Sequence, residues 1–417
     1  MTTPPPGQAR PASSCPMLYG PDFAARPDVT YDQLRDAGPV GWAEISPGVH
    51  ALVVTDYRAA LTLLNDNATY SKDARRWQAL RDGQIPPRSP VRALMEWRPS
   101  ALYADDHEHA RLRWAMDDCT ARISSHRLRE ITRRCALSLI NKVAGCGAAD
   151  LMADYADTLP LLIFAELLGC PAEIAARMVS ACQAIIAADH RAAQGSADFA
   201  MLLAELIQIK RAQPGQDFTT WMLNHPAALT DEEILNQLYC WTGAGLIPTA
   251  AWIGWALLRL LRDETFAGNL ASGALTVRHA LEEVLWLKSP IANMAVHFAR
   301  EDTHLHGRRI PRGVPVMISL AGANTDPNLP KDLGYDNRSN LAFSGGSHRC
   351  PAMGEATTIA QTGIETAFDR LWDMELASPD EKVINRQGPF HQCPDRIPVH
   401  FRPKSVDGTS LATSTRR

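Results

Sequence analysis

The chain has 417 residues, 46% of them hydrophobic and 21% charged, with a formal net charge of −4. This is ordinary globular composition, and a chain this long can bury a large core and a large ligand. The charge excludes a global basic field for nucleic acid, and neither a basic arm nor zinc-finger spacing occurs. Nine cysteines form an odd set without a C-x-x-C pair, so they read as reduced thiols of an intracellular protein, mostly small core residues.

Residues 1–16 are polar and Pro-rich, with neither a signal-type apolar run nor an anchor helix, and are expected to be a disordered lead. Residues 50–54 predict a short strand, and Asp56 a cap for a helix running to Leu64. Residues 71–104, rich in Arg, Pro and Trp without a clean period, read as mostly loop. Helical text then runs from His107 to Leu287. Breaks are expected at Gly145–Ala149, Gly169–Pro171, Gln194–Gly195 and Gln213–Gln216.

Thr230-x-x-Glu233 is a capping box. Behind it Ile234 to Leu258 carries no charge and is long enough to cross a bilayer. Gly243, Gly245, Pro248 and Gly254 interrupt the stretch, and the preferred reading is the central helix of a large fold. After Pro290 the text changes. Residues 304–320 read as two strands around Pro311–Gly313, residues 323–340 as irregular, residues 341–353 as a Gly-rich loop entering a helix, and residues 394–401 as strand-like. The expected fold is mainly α with a small β portion, one large domain over residues 17–403, followed by a flexible tail over 404–417.

The most informative segment is Phe343-Ser-Gly-Gly-Ser-His-Arg-Cys350. Glycines let backbone approach a flat ligand closely. Backbone N–H groups at a helix start stabilise a negative sulfur. An isolated Cys in a Gly loop is more often a buried core thiol, so the context decides. That context resembles the haem-binding signature of cytochromes P-450, F-G-x-G-x-H-x-C-x-G. Phe343, Gly346, His348 and Cys350 match, while Ser344 and Ala352 replace glycines.

The resemblance covers roughly Tyr31 to Pro403 and is closest to the soluble bacterial branch. It implies haem b held by the Cys350 thiolate, a ligand that pushes electron density onto iron and favours O–O cleavage. His109 and Arg113, four apart in His-Glu-His-Ala-Arg-Leu-Arg, resemble the family's propionate-holding pair; read without the family, they are a solvated helix face. His297 stands where the family places a propionate-binding Arg. Ala323-Asn324-x-Asp326-Pro327 matches a further family stretch, and residues 397–401 resemble its last strand.

Three departures follow. The family's E-x-x-R motif reads Glu283-Val-Leu-Trp286, so Glu283 needs another donor, with backbone or Arg338 expected. The oxygen-binding helix pattern, A-G-x-acid-Thr-Thr, reads Ala244-Gly245-Leu246-Ile247-Pro248-Thr249. Neither Ile nor Pro carries a proton, and Pro248 leaves the Ala244 carbonyl without its helical N–H. That carbonyl, with a water, Thr249 or the substrate's own hydroxyl, is the expected proton route; Pro248 as a mere bend in a core helix weighs equally. Thirdly, Pro351-Ala352-Met353 alters the text after the cysteine and with it the hydrogen bonding around the sulfur.

The resemblance implies an oxidoreductase of specialised metabolism acting on a small or medium apolar or aromatic molecule, by monooxygenation or oxidative coupling. O₂ and electrons from NAD(P)H would arrive through a ferredoxin and its reductase, in the cytoplasm, with no membrane anchor. The alternative is a haem-binding sensor or accessory subunit that has lost oxygen activation. Trp77–Trp97 and Ala187–Phe199 resemble variable substrate-covering regions, and with Leu246, Ile247 and Trp252 they point to an apolar pocket. For Trp252 core packing is the stronger reading. Arg113, Arg122 and His126 are candidates to receive an acidic ferredoxin.

Overall fold

The computed structural model describes residues 15–186, 192–262, 276–330 and 337–403. Most of the expected lead and the whole expected tail lie outside the described residues. The N-terminal part holds helix α1 (Pro27–Asp36), strands β1 (Val40–Ser46) and β2 (Val49–Val54), and helix α2 (Tyr57–Asn65). Asp56 caps α2 as its sequence position predicts, accepting from the Ala59 N–H at 2.7 Å. Residues 71–104 are mostly loop, broken by single turns of helix.

Strand β3 (Tyr70–Ser71) joins a five-stranded sheet of order β1-β2-β8-β5-β3, with β5 at Asn293–Ala299 and β8 at Pro315–Ser319. Only the β2–β8 pair is parallel. Between β5 and β8 lie β6 (Thr303–Leu305) and β7 (Arg308–Ile310), the hairpin ahead of Pro311.

The rest is helical: α3 (Asp106–Ala121), α4 (Ser125–Val143), α5 (Thr158–Leu167), α6 (Ala172–Ile186), α7 (Ala192–Ala212), α8 (Asp231–Arg262), α9 (Val277–Leu287) and α10 (Met353–Arg370). A small sheet of β4 (Ala148–Asp150), β9 (Glu375–Leu376) and β10 (Pro398–His400) closes the C-terminal side.

Helix α8 is the axis. The Thr230–Glu233 box forms, with Glu233 accepting from Thr230 N–H at 2.8 Å and donating its own N–H to Thr230 Oγ1 at 3.2 Å. Its apolar window is long enough for a membrane, but 67% of that window is buried inside the protein, packed against α5, α7, α9 and α10. Each large apolar side chain buried there contributes roughly 1.5–3 kcal/mol. Indole N–H groups of Trp252 and Trp255 are satisfied by the carbonyls of Leu281 and Gln392, both at 2.9 Å. Trp252 is therefore a core residue, and Leu246 is buried on the same helix.

The break expected at Gln194–Gly195 is absent, because α7 runs through both residues. A Cβ on Gly195 would sit 2.7 Å from the Ala181 carbonyl oxygen, so this glycine serves close packing of α7 on α6. Helix α8 likewise continues through Pro248.

Candidate functional site

The Cys350 loop is fixed by its backbone. The Cys350 N–H donates to the Phe343 carbonyl at 2.9 Å, closing the loop just ahead of α10. Gly346 has φ +63°, and a Cβ there would lie 1.9 Å from the carbonyl oxygen of Leu64 in α2, so only glycine fits. Ser344 stands where the family pattern has glycine and still adopts φ +59°, at a cost of roughly 1–2 kcal/mol. Ala352, at the other missing glycine, has φ −115° and needs none. Phe343 meets Trp252 of α8 edge-on, with centroids 5.5 Å apart. Cys350 is half-buried. Burial pushes its thiol up, opposed by the Ala352 N–H and by Arg113.

A basic cluster lies beside this loop. Strand pairing of Ser71 with Phe298 sets the following residue, Lys72, beside His297. Asp105, at the start of α3, holds that turn by accepting from the Lys72 N–H at 2.8 Å and from the Ser71 hydroxyl. A bulge in β5 between Met294 and His297 puts both side chains on one face, since their partners Ile318 and Val316 are two apart. His109 rises from α3, its ring 4.1 Å from that of His348.

His348 is already engaged, with Nε2 3.1 Å from the Ala104 carbonyl and Nδ1 3.0 Å from Ser347 Oγ. Arg113 reaches the Ser347 carbonyl at 3.3 Å while pairing with Asp117 at 2.6 Å. Lys72 is 3% exposed, and burial pushes its ammonium down to about 7 against the pull of Asp105. His297 is held well below the usual imidazole range by burial and then by Lys72; His109 is lowered by burial and then by Arg113. Nε2 of His109 and Nδ1 of His297 are buried without a hydrogen-bond partner among the described residues. A concentration of buried basic groups with orphaned nitrogens fits a ligand bearing carboxylates, as the two propionates of haem do. Lys72 had no signal in the sequence; it is a lone Lys in loop text until β3 pairs with β5.

On α8, Gly243 and Ala244 are exposed in the middle of an otherwise buried helix, and a Cβ on Gly243 would meet nothing within 4 Å. With the half-buried Cys240 and Ile247 they share one face of the helix. Pro248 is half-buried at the edge of that face, whereas Thr249 is 4% exposed on the other side. Gly245 gives room to Phe164 of α5, whose ring atom would be 2.3 Å from an added Cβ.

The E-x-x-W corner corrects the expectation that Arg338 serves Glu283. Glu283 pairs with Arg259 of α8 at 2.9 Å, and Arg338 lies 3.6 Å from Glu282 instead. Arg338 follows its own loop to the outer side of α9, which faces it with Glu282. Trp286 replaces the family arginine as a tie, its indole N–H donating to the Asn337 carbonyl at 2.9 Å. Asn324 adds a second tie, donating to the Leu285 carbonyl at 3.0 Å and accepting from the Leu341 N–H at 2.7 Å. Asp326 of the same stretch accepts from the Tyr57 N–H at 2.9 Å.

The fold is thus an α8-centred helical body with a side sheet and a cysteine loop leading into α10. No family model matches the chain. It is similar over nearly its whole length to 2-hydroxy-5-methyl-1-naphthoate 7-hydroxylase of Streptomyces carzinostaticus, 26% identical over 94% of this chain and 99% of that one. It is 29% identical to cytochrome P450 monooxygenase PikC of Streptomyces venezuelae, over 92% of this chain and 93% of that one. Among solved structures, CYP154A1 from Streptomyces coelicolor A3(2) superposes with a TM-score of 0.81 at 26% identity, over 93% of this chain and 100% of that one. In sequence and in fold the chain is similar to bacterial cytochromes P-450 over nearly its whole length.

Proposed function

We propose that this chain is a haem-thiolate monooxygenase that binds haem b through Cys350 and oxidises a small or medium, largely apolar molecule in bacterial specialised metabolism. The observation that carries this is the Cys350 loop, held in the glycine-type conformation beside a buried basic cluster. When bound, the haem supplies oxygen activation on its thiolate-ligated iron. Lys72, His109, Arg113 and His297 would hold its propionates, and His348 would brace the His109 ring. Phe343 and Gly346 shape the loop around the sulfur, and the Ala352 N–H stabilises the thiolate.

Ile247 and Pro248 replace the proton-carrying pair, and Thr249 sits on the buried side of α8. Protons are therefore carried by water at the Ala244 carbonyl, which Pro248 frees, or by a substrate hydroxyl. The second route also suits oxidative coupling of a phenol or indole.

Electrons from NAD(P)H would pass through a reductase and an acidic ferredoxin in the cytoplasm. Of the residues first marked for docking, Arg113 turns inward, while Arg122 and His126 stay on the surface beside Asp118 and Glu130. A groove of about 640 Å³ beside the Cys350 loop offers Arg129, Arg278, Arg338 and Arg349 against Glu282 and Glu365, and is the better ferredoxin face.

The test is the spectrum of the reduced protein with carbon monoxide. The expected result is a thiolate-type red-shifted Soret band, lost in Cys350→Ala. A neutral-ligand band unchanged by that substitution would overturn the reading.

A further inference from the structure

Arg98 lies in the loop ahead of α3, half-buried, with its guanidinium 4.7 Å from the ring centroid of Tyr239 on α8. Tyr239 is itself held by Ser196 of α7, with hydroxyl oxygens 2.8 Å apart, and packs on Phe199. The next residue on α8, Cys240, lies one turn before Ala244, on the face that carries the exposed Gly243 and Ala244. The cationic charge of Arg98 reaches Cys240 and Tyr103, opposing the rise that burial imposes on both. Arg98 is thus placed where α7, α8 and the loop meet.

No carboxylate pairs with Arg98 among the described residues. The acid nearest in sequence, Glu96, is taken by Arg92. The other nearby cation, Arg75, is turned away over Trp97 at 4.5 Å. Two residues on, Ser100 is fully buried with its hydroxyl toward the Cys240 thiol. A half-buried guanidinium without a counter-charge, beside a buried hydroxyl and an aromatic face, is matched to an anion attached to an apolar body.

We propose that Arg98 anchors a carboxylate of the substrate, so that the molecule oxidised is an apolar or aromatic acid whose carboxylate end is held away from the Cys350 loop. This rests on the haem-thiolate reading and narrows its substrate class. The Arg98 guanidinium and the Ser100 hydroxyl set the orientation, while the Gly243–Ala244 face leaves room for the apolar part.

The test uses the haem-loaded full chain. Affinities of 1-naphthoate and dodecanoate, each against its methyl ester, are measured by calorimetry with the Soret spectrum in parallel. Wild type is expected to prefer each acid to its ester about tenfold, the scale of one charge-assisted hydrogen bond. The preference should vanish in Arg98→Gln, persist in part in Arg98→Lys, and shrink as salt rises. Equal affinities in wild type, an unchanged preference in Arg98→Gln, or no binding of either acid would overturn the proposal. The carbon monoxide spectrum of the same samples judges the haem-thiolate reading separately, because a normal thiolate band with no acid preference removes only the role of Arg98.

Discussion

In the Cys350 loop, Ser344 holds the backbone of the glycine it replaces, whereas at the α9 corner Trp286 takes over the task of an arginine by a different kind of bond. The loop is governed by conformation: its turn is set by the approach of α2 and by the Cys350–Phe343 hydrogen bond, so a side chain that strains it is carried along. The corner is governed by contacts, and contacts can be re-formed by other residues, as Arg259 does for Glu283. The basic cluster behaves like the corner, since Lys72 brings from β3 the charge that His297 does not supply from β5. Backbone-determined places therefore tolerate few residues, and contact-determined places exchange partners.

The largest effect expected from this contrast is at Gly346. Gly346→Ala places a Cβ 1.9 Å from the Leu64 carbonyl at positive φ and should cost on the order of 4 kcal/mol or more in apoprotein stability. Ser344→Gly should instead gain about 1 kcal/mol, and Ala352→Gly should change little. Denaturant unfolding of the three variants checks the order. A tolerated Gly346→Ala would mean that α2 does not fix the loop.

Lys72 is next. Its folded value of about 7 lies below its ordinary 10.5, so between these limits the unfolded chain binds more protons and apoprotein stability should rise with pH. Below about 7 the full cost remains. Lys72→Met should stabilise the apoprotein at neutral pH by on the order of 2 kcal/mol and flatten that pH dependence. In the haem-loaded protein the sign reverses: haem transfer to an acceptor protein should become about tenfold faster as a propionate contact is lost. Equal transfer rates would break the analogy between the cluster and the corner.

What could be read in the sequence was local. The Asp56 cap, the Thr230–Glu233 box and the Cys350 loop each depend on residues a few positions apart, whereas the turn at His306–Gly307, inside what reads as a single strand before Pro311, was missed. Lys72, Arg259 and Arg98 depend on segments brought together from far along the chain. A lone cation carries no pattern that separates it from a solvated one. Gly195 misled for the same reason: in sequence it looks like a break, and only the Ala181 carbonyl across the helix pair shows that it permits contact. Trp286 was visible as a departure, but its partner is a carbonyl, which no side-chain motif records.

The smallest effects test whether the corner is one tie or two. Glu283 is 23% exposed on its side chain, so its pair with Arg259 is partly screened, and Arg259→Met should cost about 1 kcal/mol. That cost should shrink at high salt and largely disappear when Glu283 is already Gln. Trp286→Phe removes one neutral hydrogen bond to Asn337 and should also cost about 1 kcal/mol, but independently of salt. If the two losses add, the ion pair holds α9 to α8 while the indole separately holds α9 to the loop that leads to Cys350. A strong coupling between them would instead make Trp286 and Arg259 parts of a single tie. Only the Trp286 variant should then be expected to loosen haem if the losses prove additive, because the Asn337 carbonyl lies on the loop side of the corner.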